Sequence, residues 1–203
     1  MSKSVSSKRW LKEHFNDPYV KASKAAGYRS RAVYKLQEIQ KKHRAIKQGM
    51  VVEDLGAAPA GWSQCLKECV GKRGEILALD ILEMDPLVGV YFIQGDFTEA
   101  AVFDILMQKL NGKKVNAVVS DMAPNISGVK VSDQAKAMYL AELALDFAEK
   151  TLTKRGIFIT KLFHGVGSEA YIKQIRQQFS SLTICKPEAS RDRSSEVFLL
   201  AIK

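Results

Sequence analysis

The sequence predicts an α/β fold with a Rossmann-like, doubly wound sheet of seven strands, the last two of which form an antiparallel hairpin. Three observations support this fold class. The chain has 203 residues, which suits one domain with a substantial core. From about residue 50 onwards, apolar strand-sized segments alternate with segments of helical periodicity. The last two strand segments are separated by a polar stretch that is too short for a crossover helix.

The predicted elements follow one another in regular order. Several strand segments are apolar on both faces, as expected of a covered, mainly parallel sheet. Between them, apolar residues recur at helical spacing, and Ser132 is the expected N-cap of the longest helix. We predict strands over 50–55, 75–80, 90–94, 115–121, 156–162, 182–186 and 197–202, helices over 61–70, 98–110, 133–153 and 168–179, and a further helix over 30–42 ahead of the sheet.

Basic residues are concentrated in the first quarter of the chain. Residues 1–50 carry 13 lysines and arginines against 3 acids, whereas the remaining residues carry 18 against 19. Aromatic side chains such as Trp10 and Tyr28 are interleaved with these basic residues. This combination is typical of surfaces that bind nucleic-acid phosphates and stack on bases. We therefore expect a basic nucleic-acid-binding arm over 1–30 and a single folded domain over 31–203.

Composition narrows the class of protein further. No segment is apolar enough to span a membrane, and the first residues lack the apolar core of a secretion signal. Cys65 and Cys69 are four residues apart, so they would share one helix face. We interpret them as small core residues and expect no metal site. The expectation is a cytoplasmic protein in a reducing compartment.

A loop of small residues follows the first predicted strand. Residues 51–62 read Val-Val-Glu-Asp-Leu-Gly-Ala-Ala-Pro-Ala-Gly-Trp, and glycines at 56 and 61 would let a ligand approach the backbone closely. A phosphate-binding P-loop needs a lysine after its second glycine, and a dinucleotide loop needs a glycine at position 58. Both are missing here. The loop therefore favours a ligand without phosphates, such as S-adenosylmethionine.

Two acids support a nucleoside site beside this loop. Asp80 ends the second predicted strand, where an acid would meet an adenosine ribose. Asp96 follows the third strand and could accept a hydrogen bond from the adenine amino group. An aspartate that forms a turn after a strand is also common. Because both acids are in register with the loop, we interpret Gly56, Asp80 and Asp96 as parts of one cofactor site.

The fourth and fifth predicted strands both end in charged residues. Asp121 follows the fourth strand in a turn without the aromatic residue with which amino-group methyltransferases grip a planar base. Lys161 ends the fifth strand, where apolar residues dominate. A lysine at such a place either extends to solvent or is buried for a functional reason.

With these motifs, the sequence resembles the FtsJ-like ribose 2′-O-methyltransferases over nearly its whole length. A sheet that ends in an antiparallel hairpin is also the arrangement associated with S-adenosylmethionine methyltransferases. The resemblance is carried by Arg9-Trp10-Leu11-Lys12-Glu13-His14-Phe15, Tyr28-Arg29-Ser30-Arg31-Ala32, Asp54-Leu55-Gly56-Ala57-Ala58-Pro59, Asp121-Met122-Ala123-Pro124-Asn125 and Arg191-Asp192-Arg193-Ser194-Ser195-Glu196.

The resemblance implies the residues of the site. The family has a catalytic Lys-Asp-Lys-Glu set, in which one lysine would accept the proton of the ribose hydroxyl while the acids orient the lysines. One departure concerns the loop, where the family usually has Pro-Gly-Gly-Trp and this chain has Ala60, which would be strained if position 60 needs positive φ. The implied catalytic residues are Lys35, Asp121, Lys161 (the proton acceptor) and Glu196, and the expected cofactor contacts are Gly56, Ala60, Gly61, Trp62, Asp80, Asp96 and Asp121.

The resemblance also implies a substrate. Within the family, the sequence is similar to bacterial enzymes that methylate a uridine ribose of 23S ribosomal RNA in the large ribosomal subunit. The arm over 1–30 would then bind RNA, and 31–203 would be a single methyltransferase domain acting as a monomer. Ribose methylation of transfer RNA is the alternative reaction. A non-catalytic RNA-binding factor for ribosome assembly is the alternative class, against which the intact Lys-Asp-Lys-Glu set argues.

Overall fold

The seven predicted strands form one sheet, in the order β3-β2-β1-β4-β5-β7-β6. The computed structural model describes residues 16–191 and 193–203. Each observed strand overlaps its predicted segment, and the largest difference is an earlier start of the fifth strand. The strands are β1 (Val51–Leu55), β2 (Glu75–Asp80), β3 (Val90–Gln94), β4 (Val115–Ser120), β5 (Leu152–Phe163), β6 (Ser181–Cys185) and β7 (Glu196–Ile202).

Strands β1 to β5 are parallel to one another, and β7 is antiparallel to both of its neighbours, β5 and β6. The predicted terminal hairpin is therefore confirmed. The chain returns from the outer strand β6 to fill the position between β6 and β5, which places β7 inside the sheet. Both faces of β7 are covered, since six of its seven residues are buried, as its continuous apolar sequence indicates.

Helices cover both faces of the sheet, which confirms the doubly wound arrangement. Buried residues of α2 and α3 pack with one face of the sheet, and those of α4, α5 and α6 pack with the other. The two resulting cores share no buried residue and are separated by the sheet itself. The helices are α1 (Pro18–Ala25), α2 (Val33–His43), α3 (Gly61–Val70), α4 (Ala100–Leu110), α5 (Lys130–Thr151) and α6 (Ser168–Gln178).

The predicted N-cap of the longest helix is wrong. Helix α5 begins at Lys130 with Val129 in the cap position, so Ser132 lies inside its first turn. The side chain that satisfies nearby backbone is instead Asp133, which accepts hydrogen bonds from the N–H groups of Ser127 and Gly128. A carboxylate in the first turn also suits the positive end of the helix dipole. Asp133 therefore stabilises the loop ahead of the helix, and the helix itself has no side-chain cap.

The predicted basic arm is described only in part. Residues 1–15, which include Trp10, lie outside the described residues. The remainder contains α1, whose Val20 is buried and whose N-cap Asp17 accepts a hydrogen bond from the Tyr19 N–H at 2.9 Å. Asp17 also forms an ion pair with Arg31 at 3.1 Å, which joins α1 to the start of α2. Among the described residues, no helix has the length and apolarity needed to cross a membrane.

Candidate active site

Lys161 and Asp121 form a buried ion pair at the carboxyl ends of β5 and β4. Parallel pairing of Ser120 with Thr160 brings the next residue of each strand together. Lys161 Nζ donates to the Asp121 backbone oxygen at 2.6 Å and lies 3.0 Å from Asp121 Oδ1. Lys161 is 9% exposed, so it does not extend into solvent. Of the two possibilities for Lys161, extension to solvent or burial, the structure shows burial.

Lys35 and Glu196 form a second buried ion pair beside the first. Lys35 lies in α2 and Glu196 is the first residue of β7, and their Nζ and Oε1 atoms are 2.8 Å apart. Both side chains are about nine-tenths buried. The Glu196 backbone oxygen also accepts from Lys186 Nζ at 2.6 Å, which fixes the start of β7. Each lysine of the predicted set thus has its own carboxylate at short range.

The two pairs share one face of the sheet, around the ring of Phe198. Antiparallel pairing sets Phe198 directly opposite Lys161, and Glu196 is two residues from Phe198 on the same face. Lys35 Nζ lies 5.5 Å from the centre of the Phe198 ring, within the range of a cation–π contact. The four residues that sequence reasoning assigned to one set, at positions far apart in the chain, are therefore brought together.

A cavity of about 470 Å³ opens next to Asp121 at the carboxyl edge of the sheet. This is within the usual size of a small-molecule site. Of the predicted cofactor contacts, Gly56, Asp80, Asp96 and Asp121 all line it. Its other lining residues are mainly apolar or small and come from the ends of β2, β3 and β4 and from α5. Asp121 therefore belongs both to the lysine pair and to the cavity wall.

Gly56 is needed where the loop passes β4. Its φ is 80°, and a Cβ added to it would lie 2.8 Å from Met122 Cγ and 2.9 Å from the Met122 backbone nitrogen. No side chain fits at such distances from a backbone atom. The close approach of these two segments forms the floor of the cavity, and a larger residue at position 56 would push them apart.

Asp80 and Asp96 use their carboxylates differently. Asp80 accepts from the N–H of Ala58 at 2.9 Å and of Leu82 at 2.8 Å, one with each oxygen, so it fixes the two loops that flank the cavity. Asp96 accepts from the N–H and hydroxyl of Thr98, both with Oδ1. Its Oδ2 keeps its full capacity to accept from a ligand. Asp96 is therefore the better placed of the two for directional recognition.

The remaining predicted cofactor contacts, Ala60, Gly61 and Trp62, do not line this cavity. Ala60 is buried and has a φ of 90°. This is the strained conformation expected if alanine replaces the usual glycine at a position with positive φ. The Trp62 ring is buried, and its Nε1 donates to the Ala32 oxygen at 2.8 Å. The side chain of Trp62 therefore supports α2, while its N–H, in the first turn of α3, has no partner within that helix.

Sequence reasoning missed a set of cavity residues on α5. Lys136, Tyr139 and Leu140 line the cavity from the first half of this helix. Their spacing of three and four residues is the available signal, because it places them on one helix face. The helical spacing of the apolar residues predicts the helix but does not show which of its residues face a cavity. Tyr139 remains half exposed and Lys136 supplies the one cation of the cavity wall among the described residues.

Two adjacent buried acids on β1, Glu53 and Asp54, were also not singled out. Both are fully buried, on opposite faces of the strand. Asp54 accepts from the Ser63 hydroxyl at 2.5 Å, and burial raises its pKa to about 7, with the Asp121 and Asp80 carboxylates acting in the same direction. Burial also raises the pKa of Glu53 well above its usual range, and neither of its carboxylate oxygens has a hydrogen-bond partner in the described structure.

Comparison with known proteins places this geometry in a group of enzymes. A family model described as FtsJ-like methyltransferase matches residues 28–203. The chain is 55% identical to ribosomal RNA large subunit methyltransferase E of Marinobacter nauticus, covering 99% of this chain and 97% of the relative. It is 56% identical to the protein of the same name from Xylella fastidiosa, over 98% of this chain and 94% of the relative.

Solved structures agree with this comparison. A Plasmodium falciparum protein assigned as a ribosomal RNA methyltransferase superposes with a TM-score of 0.77 at 28% identity, covering 87% of this chain and 98% of that one. A protein from Clostridium thermocellum assigned as an rRNA methylase superposes with a TM-score of 0.57 at 15% identity, which shows the fold alone. The Rossmann-like methyltransferase fold expected from the sequence is thereby confirmed.

Proposed function

The chain belongs to the FtsJ-like methyltransferase family, and from this premise we propose that it transfers a methyl group from S-adenosylmethionine to a ribose 2′-hydroxyl of large-subunit ribosomal RNA. The observation that carries the proposal is the pair of buried lysine–carboxylate contacts, Lys161 with Asp121 and Lys35 with Glu196, beside a cavity of cofactor size. A protein that only binds RNA has no need for two buried lysines, whose desolvation is costly.

The cavity fits a methyl donor that carries a nucleoside without phosphates. Three carboxylates, of Asp80, Asp96 and Asp121, line it, and they would repel the phosphates of a dinucleotide or nucleotide. A carboxylate can accept from ribose hydroxyls or from an adenine amino group, which are the groups that such a nucleoside offers. When bound, S-adenosylmethionine supplies an electrophilic methyl group on a positively charged sulfur, to which these carboxylates are complementary.

Lys161 is the proposed proton acceptor for the ribose hydroxyl. Its Nζ is held by the Asp121 backbone oxygen and lies within ion-pair distance of the Asp121 carboxylate, which also lines the cavity. The amine would thus stand at the edge of the cofactor site, beside the incoming hydroxyl. Much of the rate in such a transfer comes from holding the oxygen in line with the methyl group, so the fixed position of Lys161 matters as much as its basicity.

The Lys35–Glu196 pair is proposed to complete the wall that receives the target nucleotide. Burial of both side chains keeps water from this wall, and the pair leaves little net charge beside Lys161. The ring of Phe198 separates the lysines from the core below. Together these groups would orient the ribose without competing for its proton.

Ribosomal RNA is the proposed substrate because the relatives that match over nearly the whole chain are named for the large ribosomal subunit. The excess of basic residues in 1–50 supports an RNA substrate, and we assign residues 1–30 as an RNA-binding arm ahead of a methyltransferase domain over 31–203. A uridine as the modified nucleotide, and a monomer as the active form, belong to the same proposal.

The proposed function is tested by methyl transfer. The protein is incubated with S-adenosylmethionine labelled in the methyl group and with large ribosomal subunits, transfer RNA or capped RNA. We expect label in the 23S RNA of the large subunit, at a position where the RNA resists alkaline cleavage, because a 2′-O-methyl group removes the attacking hydroxyl. Label on transfer RNA instead would support the alternative substrate. No transfer to any of the three would contradict the proposal.

A further inference from the structure

Four short segments lie side by side on the edge of the sheet opposite the active site. Residues 44–50, 71–75 and 111–115 lead into β1, β2 and β4, and residues 152–156 lead into the regular part of β5. Because these strands are parallel, their amino ends meet on the same edge. We call these four segments the amino edge. The catalytic pairs and the cavity lie at the other, carboxyl ends of the same strands.

Hydrogen bonds join neighbouring segments of the amino edge into one surface. The Glu75 N–H donates to the Met50 oxygen at 3.1 Å, which joins the first two segments. Lys114 Nζ donates to the Lys150 oxygen, which joins the third segment to the end of α5 and so to the fourth. The pairing of β1 with β4 connects the two halves. The surface is therefore held by the sheet and does not depend on a single loop.

The amino edge is strongly basic. Each segment carries two lysines or arginines, all of them exposed, and the four segments together contain one acid, Glu75. Residues 44–50 contribute Arg44 and Lys47. The other three segments contribute Lys72, Arg73, Lys113, Lys114, Lys154 and Arg155.

The fold, not the local sequence, produces this concentration of charge. Residues 51–203 carry 18 basic and 19 acidic side chains, which is close to neutral. The acids at the carboxyl edge include Asp80, Asp96, Asp121 and Glu196. The three segments of the amino edge that belong to this stretch carry six of its 18 basic side chains and one of its 19 acids.

Two of these arginines occupy backbone positions that favour glycine. Among the described non-glycine residues, four have positive φ, and they include Arg44 at 48° and Arg155 at 63°. A left-handed conformation is unfavourable for a residue with a Cβ. Arginine therefore stands at two turns where glycine would fit better, and this points to a role for its charge.

The chemistry of the amino edge fits the backbone of a nucleic acid. None of the large apolar side chains exposed in the described residues lies in these four segments. A membrane-binding surface would need such anchors besides its charge. We propose that the amino edge is a second RNA-binding surface, which contacts the phosphates of a folded RNA without regard to base sequence. This inference rests on the proposed function, since it takes the same RNA as its partner.

The distance between the two edges determines which RNA can use both. A strand of five or six residues spans roughly 17–20 Å. An RNA of three nucleotides spans only about 10 Å at roughly 3.4 Å per stacked nucleotide, so one bound in the active site would not reach around the sheet. A large folded RNA or an assembled subunit, in contrast, offers phosphates on several sides. The amino edge should thus contribute to binding of large RNA and contribute nothing to binding of a short oligonucleotide.

The test measures RNA binding at several salt concentrations, without reference to methyl transfer. The variant Lys72→Gln/Lys113→Gln/Lys154→Gln removes three charges from the amino edge. The control Lys173→Gln/Arg176→Gln removes two exposed charges from helix α6. The probes are purified large ribosomal subunits, a trinucleotide RNA and vesicles that contain phosphatidylserine.

We expect the amino-edge variant to bind large subunits about tenfold or more weakly at moderate salt. The slope of log affinity against log salt concentration should fall by about two, as expected for about three lost phosphate contacts. Binding of the trinucleotide RNA should stay unchanged. A wild-type salt slope, or an equal loss in the control variant, would overturn the inference, and so would a loss confined to the vesicles.

A second variant separates the charge from the fold. Arg155→Gly should keep or raise thermal stability, because glycine relieves the left-handed position, and should still weaken binding to large subunits. Retained affinity in this variant would show that Arg155 is only a turn residue and would count against the surface. Methyl transfer by the wild-type protein is scored separately, so a failure of the proposed function and a failure of this inference give different results.

Discussion

Lys35 and Glu38 lie three residues apart on α2, and both bind the loop that joins β6 to β7, one at each end of it. Lys35 pairs with Glu196 at 2.8 Å, where the loop enters β7. Glu38 accepts from the N–H groups of Glu188 and Ala189 at 2.6 and 2.9 Å, near the start of the loop. One turn of helix α2 therefore fixes both ends of the loop that leads to Glu196, a residue of the proposed catalytic set.

We predict that Glu38→Ala slows methyl transfer by about tenfold and leaves cofactor affinity unchanged, because the loop before Glu196 loses two charge-assisted hydrogen bonds. The fall should appear in kcat more than in KM for RNA, since Glu38 acts through the position of Glu196. Glu38→Gln, whose amide oxygen can still accept, should restore part of the rate. Glu188→Ala, which removes an exposed carboxylate from the same loop, serves as the control.

A second prediction separates enzyme from binding factor. Lys161→Ala should lower methyl transfer by about 100-fold or more, while RNA and cofactor affinities stay near wild type, the scale expected when a positioned proton acceptor is lost. Lys161→Arg keeps the charge beside Asp121 but cannot give up a proton near neutral pH, so it should fail as well. Single-turnover rates at saturating RNA measure both. Wild-type speed in the arginine variant would leave Lys161 as an orienting charge only.

Cofactor recognition is tested at Asp96. Asp96→Ala should weaken S-adenosylmethionine binding by about 1–3 kcal/mol, because its Oδ2 is free to accept a directional hydrogen bond from the ligand. Calorimetry gives the affinity, and thermal unfolding checks that the fold is intact. Asp104→Ala, which removes an exposed carboxylate from α4 outside the cavity, is the matched control. Equal affinities in the two variants would remove Asp96 from the site.

The positive φ of Ala60 leads to a prediction about the stability of the protein. Ala60→Gly should change the free energy of unfolding by less than about 1 kcal/mol, because relief of positive φ offsets the lost methyl group and the added freedom of the unfolded chain. Ala144→Gly, at an equally buried site inside α5, should cost about 2 kcal/mol. Denaturant unfolding compares them. Equal losses would mean that Ala60 carries no strain.

The buried acid Glu53 predicts a dependence of stability on pH. Since its folded pKa is raised, its neutral form suits the fold, and stability relative to a variant without the acid should fall as pH rises above about 4.5. Glu53→Met should therefore stabilise the protein, by more at pH 8 than at pH 4. Urea unfolding across this range gives the difference. A gain that is constant with pH would contradict the assignment.

Much of the fold was predictable because most of its strands are short, mainly apolar runs in the sequence. Every predicted strand and helix is present in the structure. Short apolar runs predict buried strands, and helical periodicity predicts the helices that cover them. The N-cap at Ser132 was wrong because the helix begins two residues earlier, at Lys130, without a side-chain cap that the sequence could signal. Residues 152 and 153 were assigned to the end of a helix, because the turn at Arg155 needs a conformation that its side chain does not signal.

The candidate site was predictable in its charged residues and less so in its walls. The carboxyl ends of predicted strands indicate where a site lies in this class of fold. Asp80, Asp96 and Asp121 stand at such ends, and all three line the cavity. The side chain of Trp62 does not, because the packing of its ring against α2 depends on residues some thirty positions away. The sequence does not signal that Glu53 is buried without a partner, because this becomes visible only when its neighbours in the sheet are known.

The position of β7 has a consequence for the order of events during synthesis. A chain grows from its amino end, so strands β1 to β5 can pair before Glu196–Ile202 has left the ribosome. Until then, β5 presents an open edge and β6 has no neighbour, because β7 is the strand that joins them. The nascent protein would hold Lys35, Asp121 and Lys161 without their fourth member. Translation of one short strand therefore closes the exposed edge and completes the catalytic group in a single step.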